Sequence, residues 1–195
     1  MKKRNLIIFL VLLLLVDQIV KILVKTNMTL DQYIPIFGKW FYIRFIENPG
    51  AAFGFEFGGN YGKLFLSVFR IVAVGFIIWY LNRLTRRADV PKGVLIGLGL
   101  ILAGALGNII DSAFYGLIFN ESGFTTAASL FPAEGGYAGF LHGKVVDMLY
   151  FPIIKNAAGQ TLFFSPVFNF ADAYISVGVI YLLLFQRKFF GAKQE

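Results

Sequence analysis

Apolar residues in this chain do not recur singly at helical spacing; they come in four long runs separated by polar and aromatic segments. Runs of this kind read as membrane helices rather than as one-sided helices of a soluble core. The first extends from about residue 5 to 26 and contains LIIFLVLLLLV at 6–16. At 1.5 Å per residue such a helix crosses roughly 30 Å of hydrocarbon. Residues 63–82 (KLFLSVFRIVAVGFIIWYLN) and 93–118 (GVLIGLGLILAGALGNIIDSAFYGLI) predict the second and third spans, and about 168–186 the fourth. The expected fold is mainly α: one membrane domain over 1–195, with four transmembrane helices and two outer loops, 27–62 and 119–167.

The start of the chain imitates a secretory signal, because Met1-Lys2-Lys3-Arg4 precedes the first apolar run. Residues 17–26 (DQIVKILVKT) offer no small-x-small cleavage site, so the segment reads as a retained helix. The third span carries Gly97, Gly99, Gly104 and Gly107 with Ala103 and Ala105, residues small enough for helices to approach closely. In the first outer loop, YIPIFGKWFYIRFIEN predicts two short strands around a turn at Gly38-Lys39. Its aromatic residues suit a small extracytoplasmic sheet at headgroup level.

Composition agrees, with 57% hydrophobic and 15% charged residues among 195, against roughly 25% charged in soluble domains. The net charge of +7 does not imply nucleic acid, because its distribution follows the bilayer. Ten basic residues, from Lys2, Lys3 and Arg4 through the 83–92 loop to Arg187, Lys188 and Lys193, flank the spans on one side. The longer 25–63 and 119–167 segments hold six: Lys25, Lys39, Arg44, Lys63, Lys144 and Lys155. The positive-inside rule then puts both termini in the cytoplasm and both long loops outside.

Polar residues persist inside these runs, at about 2.5–3.5 kcal/mol for a charge near the bilayer centre. Asp17 and Lys21 lie one turn apart on the first span, Asn108 and Asp111 three apart on the third, and Asp172 opens the fourth behind Asn169. Structural readings stand beside functional ones: Asp17 and Lys21 as an (i, i+4) pair with Lys21 snorkelling outward, Asn108 as an interhelical hydrogen bond. Except for Arg70, whose depth is ambiguous, these groups converge on the outer leaflet. An ion or solute transporter, the alternative function, would spread them across the full membrane depth.

The inventory restricts the chemistry. Cysteine is absent, which excludes disulfides, thiolate nucleophiles and cysteine metal sites. His142 is the sole histidine; no serine stands in a GxSxG pattern and no HExxH is present. No metal or other cofactor is expected. Two carboxylates sharing a site can still cleave an amide, because like-charge repulsion keeps one protonated while the other accepts a proton from water. Asp17, Asp111, Asp147 and Asp172 all lie near the outer level, and the best candidates are those in VVDM (145–148) and FNFAD (168–172).

Five blocks in this order resemble the lipoprotein signal peptidase (signal peptidase II) family: Asp17-x-x-x-Lys21, Asn48-Pro49-Gly50-Ala51-Ala52-Phe53, Gly107-Asn108-Ile109-Ile110-Asp111, Val145-Val146-Asp147, and Phe168-Asn169-Phe170-Ala171-Asp172. The resemblance implies an aspartic endopeptidase of the bacterial cytoplasmic (inner) membrane, with its active site on the outer, periplasmic side. Such an enzyme removes signal peptides from diacylglyceryl-modified prolipoproteins on the amino side of the lipidated cysteine. It implies Asp147 and Asp172 as the catalytic pair, with Asp17, Lys21, Asn48, Gly50, Asn108, Asp111, Asn169 and Ala171 lining or supporting the site. The implied partners are lipidated prolipoproteins and membrane lipid, bound by a monomer. Two departures stand out. The family usually has arginine after the third-span aspartate, where this chain has Ser112, and the 119–143 stretch is longer than the family's. Lys144 and Arg70 are candidate substitutes for that arginine.

Overall fold

The computed structural model describes residues 2–49, 59–155, 161–163 and 166–191. Gly50 and the Ala51-Ala52-Phe53 part of its motif lie outside the described residues. In chain order come α1 (Lys3–Asn27), β1 (Tyr33–Phe37), β2 (Phe41–Asn48), α2 (Gly59–Leu84) and α3 (Lys92–Ile110). A π-helical turn (Asp111–Tyr115) continues α3 into the short α4 (Gly116–Ile118). Then follow β3 (Val145–Tyr150), β4 (Ile154–Lys155), β5 (Thr161–Phe163), β6 (Val167–Phe168), α5 (Phe170–Phe185) and α6 (Arg187–Gly191).

Among the described residues, Lys3–Asn27 and the stretch Lys92–Ile118 are long and apolar enough to cross a membrane. The apolar α5 is shorter, at 16 residues, which is about 24 Å of rise. Between residues 7 and 23 of α1 the exposed residues are apolar, with Ile8, Leu12, Leu15, Ile19 and Leu23 at helical spacing, whereas Asp17, Lys21 and Lys25 are buried. A helix in water would carry the opposite pattern, so this one reads as lipid-facing.

The chain divides into two compact units, one of Met1–Asp17, Ser67–Ile109 and Phe170–Glu195, the other of Gln18–Leu66 and Ile110–Asn169. The first unit is helical. Leu6 from α1, Val74, Leu81 and Leu84 from α2, and Val94, Leu95 and Leu102 from α3 form its buried core, with Phe9, Ile77 and Leu98 packed against it. The glycines of α3 let α5 close in, as expected from their size. A Cβ at Gly97 would stand 2.6 Å from the Leu182 side chain, and one at Gly104 would collide with the Ala171 carbonyl oxygen. Gly104→Ala is therefore expected to lower stability by about 1–3 kcal/mol through overpacking, read as a fall in the thermal unfolding midpoint in detergent.

The second unit is built on a four-stranded antiparallel sheet of order β1-β2-β3-β6. The expected turn at Gly38 forms, with the glycine at φ +52°, a left-handed conformation that costs a residue without Cβ little. The sheet is larger than the predicted hairpin, because Val145–Tyr150 is a strand and Val167–Phe168 pairs with it. Ile46 lies opposite Asp147 and Asn48 opposite Val145. Rings cover part of the sheet, among them Phe41 stacked on Phe151 at 4.5 Å between centroids.

Candidate active site

In the first unit, polar groups gather at the start of α5. A helix leaves its first four N–H groups without intrahelical partners and carries partial positive charge at that end. Asp17, on α1 and only 1% exposed, meets both needs: its Oδ1 accepts the Ala171 N–H at 3.0 Å. One residue on, Asp172 Oδ1 accepts the side-chain amide of Asn108 at 2.8 Å. Gly107, beside Asn108, is small by necessity, since a Cβ there would lie 2.6 Å from Asp17 Oδ2 and 3.2 Å from the Ala171 Cβ. Thus α1 and α3 hold the first turn of α5, and with it Asp172, in one orientation.

In the second unit, Asp147 lies on β3, 4% exposed, and its Oδ1 accepts the amide of Asn169 at 2.7 Å. Behind it stands a buried ion pair. Lys21 Nζ is 2.8 Å from Asp111 Oδ2, and neither side chain has any exposed surface. The same carboxylate accepts the Val146 N–H at 3.2 Å and the Gln18 amide at 3.0 Å, and Tyr115 in turn donates its hydroxyl to Gln18 at 3.2 Å. Asp111 therefore anchors β3 one residue before Asp147. Lys21 does not snorkel outward: its ammonium is enclosed, and the (i, i+4) pairing with Asp17 is not its whole role.

One turn beyond Lys21, at a position whose local sequence predicts no role for it, stands a second buried lysine. Lys25 pairs with Glu47 on β2, donates to Ser122 Oγ at 2.8 Å, and lies over the rings of Phe119 and Tyr137 at 5.3 and 5.0 Å. Ser122 also donates to Glu47 at 2.7 Å. Lys144 stands 3.3 Å from the other Glu47 oxygen, Oε2, outside hydrogen-bond geometry, and also pairs with Glu121. The spacing of Asp17, Lys21 and Lys25 at every fourth residue was the available signal that all three share one helix face.

Burial pushes the Glu47 carboxyl up, but the Lys25 ammonium, hydrogen bonds from Lys25 and Ser122, and Lys144 outweigh it and leave it below the usual carboxylate range. For Lys144, burial pushes down while Glu121 and Glu47 push up harder, and the net is upward. Glu47's stabilisation is thus present above its unfolded pKa and is lost as pH falls through the lower folded value. That of Lys144 is complete below its unfolded pKa and is lost as pH rises through the higher folded one. Glu47→Gln should lower stability at neutral pH by about 1.5–3 kcal/mol. It should also flatten the acid limb of a plot of unfolding midpoint against pH, a limb that persists unchanged if Glu47 contributes nothing.

The expected site residues therefore fall into two groups: Asp17, Asn108, Ala171 and Asp172 in the first unit, Lys21, Asp111, Asp147 and Asn169 in the second. Asn48 ends β2 beside β3. His142 is half-buried, its Nδ1 2.9 Å from the Phe140 carbonyl oxygen. Lys144 is engaged with Glu47 and Glu121 rather than with the helix end that follows Asp111.

Comparison with known proteins bears on this arrangement. Residues 9–188 match the family model of signal peptidase (SPase) II. The lipoprotein signal peptidase of Porphyromonas gingivalis is 51% identical over 183 residues, covering 89% of this chain and 79% of that protein. That of Amoebophilus asiaticus is 37% identical over 187 residues, covering 90% and 75%, and that of Syntrophus aciditrophicus 32% identical, covering 93% of each. A bacterial membrane enzyme solved by the in meso method at 1.9 Å resolution shares the fold, with a TM-score of 0.65 at 22% identity over 93% of this chain and 92% of that one. A match across nearly the whole length, with relatives this similar, has one meaning: the chain belongs to the signal peptidase II family.

Proposed function

We propose that this chain removes signal peptides from diacylglyceryl-modified prolipoproteins, cleaving on the amino side of the lipidated cysteine, with Asp147 and Asp172 as its catalytic pair. Family membership makes it a peptidase. With its long apolar helices, it also makes it a bacterial membrane protein. The finer reading has four spans, both termini in the cytoplasm, and the active site at the outer leaflet of the inner membrane. The transporter alternative has no support from the comparisons.

One observation carries the assignment of the pair. Each of these aspartates has a carboxylate oxygen fixed by an asparagine amide, Asn169 on Asp147 and Asn108 on Asp172. Asn169 also stands only three residues before Asp172 in the chain, so the support of one carboxylate is tied covalently to the other. Asp17 and Asp111 have different work, the first accepting the N–H at the start of α5, the second neutralising Lys21 and holding β3.

In this mechanism the ionised aspartate takes a proton from water as its oxygen attacks the scissile carbonyl. The protonated partner donates to the carbonyl oxygen. Collapse of the tetrahedral intermediate breaks the C–N bond, the leaving nitrogen gains a proton, and the pair returns to one proton between two carboxylates. The depth suits the substrate: each buried CH₂ of an acyl chain contributes about 0.8 kcal/mol, so the lipidated cysteine holds its peptide bond near the membrane surface.

The test is cleavage by the purified protein in lipid. A diacylglyceryl prolipoprotein should lose its signal peptide, with the lipidated cysteine as the new N-terminus by mass spectrometry, and the unlipidated precursor should remain intact. Equal cleavage of both precursors would refute the lipid requirement; cleavage of neither by folded protein would refute the activity.

A further inference from the structure

The end of the third apolar helix and the segment that follows it form one continuous feature. A helix end leaves its last carbonyls without intrahelical partners, and near hydrocarbon water cannot readily supply them. Here the segment folds back and its backbone donates to carbonyls along and just beyond that end. The N–H of Gly143 donates to Ser112 O at 2.9 Å, Ala138 to Gly116 O at 2.9 Å, Phe131 to Ile118 O at 2.7 Å and Tyr137 to Phe119 O at 3.0 Å. The contact is backbone on backbone: a Cβ at Gly136 would collide with the carbonyl groups of Gly116 and Leu117, and one at Gly143 with that of Asp111. This collar lies where the family's arginine is replaced by Ser112.

The collar's outward residues are apolar. Phe131 is 72% exposed and Phe140 56%. Phe140 packs edge-on against Phe114, at 6.0 Å between centroids, and Phe114 with Leu117 is exposed on the last turns of an apolar stretch long enough to span a membrane. Phe131 has a positive φ of 53°, uncommon for an aromatic residue, so its position is held by the surrounding bonds rather than by local preference. Between them the turn at Pro132–Gly135 carries the exposed Glu134, which leaves a charged group available to water.

The geometry points to the 130–140 collar as a membrane-interface element: Phe131 and Phe140 continue the lipid-facing surface of Phe114 and Leu117 into the outer leaflet, while Glu134 faces water. The occupant of this apolar surface is lipid, because the surface is continuous with a membrane-facing helix and its backbone is bonded to that helix end. The segment is then a fixed part of the membrane body, not a cover that swings over the site.

Because the chain has no cysteine, single labels can be placed without a background. Phe131→Cys and Phe140→Cys, each carrying a nitroxide, would be reconstituted in phosphatidylethanolamine–phosphatidylglycerol vesicles beside Leu117→Cys and Glu134→Cys as references. Labels at 131 and 140 should collide with oxygen as the one at 117 does and be shielded from a water-soluble nickel chelate, with the reverse at 134. Chelate access at either 131 or 140 equal to that at 134 would overturn the proposal in favour of an aqueous loop. Exclusion of both reagents would overturn it in favour of a protein partner.

Discussion

Asp147→Asn and Asp172→Asn are each expected to lower kcat/KM for a diacylglyceryl prolipoprotein by at least about 10²–10⁴-fold, the usual contribution of a positioned general acid or base. The substitution removes the ability to exchange a proton and little else. Asn169 and Asn108 can still donate their amides to the Oδ1 of an asparagine at 147 or 172, at the places where they now meet Asp147 and Asp172 at 2.7 and 2.8 Å. The unfolding midpoint should therefore move little, and both variants should still bind the lipidated precursor. Loss of binding or of fold together with rate would mean that these aspartates are structural, the role assigned here to Asp17 and Asp111.

The largest loss of stability is expected at the Lys21–Asp111 pair. Asp111→Ala removes the counter-charge of a lysine with no exposed surface and two further acceptor contacts, from Gln18 and the Val146 backbone. Removing one partner of a buried pair costs about 3–5 kcal/mol. Activity should fall as well, because β3 loses its anchor one residue from Asp147. The double variant Lys21→Met, Asp111→Leu distinguishes the two effects. With no uncompensated charge left, it should recover part of the lost midpoint, yet it should stay slow because the Val146 N–H still has no carboxylate. Recovery of full activity in the double variant would show that Asp111 serves only to neutralise Lys21.

Much of this could be read from residue pattern, for physical reasons. Apolar runs report α1 and α3 because a helix in lipid needs continuous hydrophobicity, and the glycines of α3 report close packing because nothing larger leaves room at Gly104. The Gly38 turn was legible for a similar reason, being a local requirement on one backbone angle. Features that depend on distant partners were not. Val145–Tyr150 is almost wholly buried and lacks the alternation that marks a half-exposed strand, so it looked like loop. The π-helical turn at Asp111–Tyr115 has no local signature. Lys21 fits either snorkelling or pairing by spacing alone, since Asp111 is distant in the chain, and nothing local marks Lys25, because Glu47 and Ser122 are 22 and 97 residues away. The collar was visible only as extra length in 119–143, since its role rests on carbonyls at the end of another helix.

The central claim is that Asp147 and Asp172 act as one catalytic unit, and the most direct measurement is kcat/KM for the two asparagine variants and their double on one lipidated precursor. Groups that act together are strongly non-additive. The expected result is that Asp147→Asn with Asp172→Asn is no slower than the slower single variant, with all three folded. A double variant slowed by the product of the two single effects, or a single variant that turns over like the parent enzyme, would contradict it.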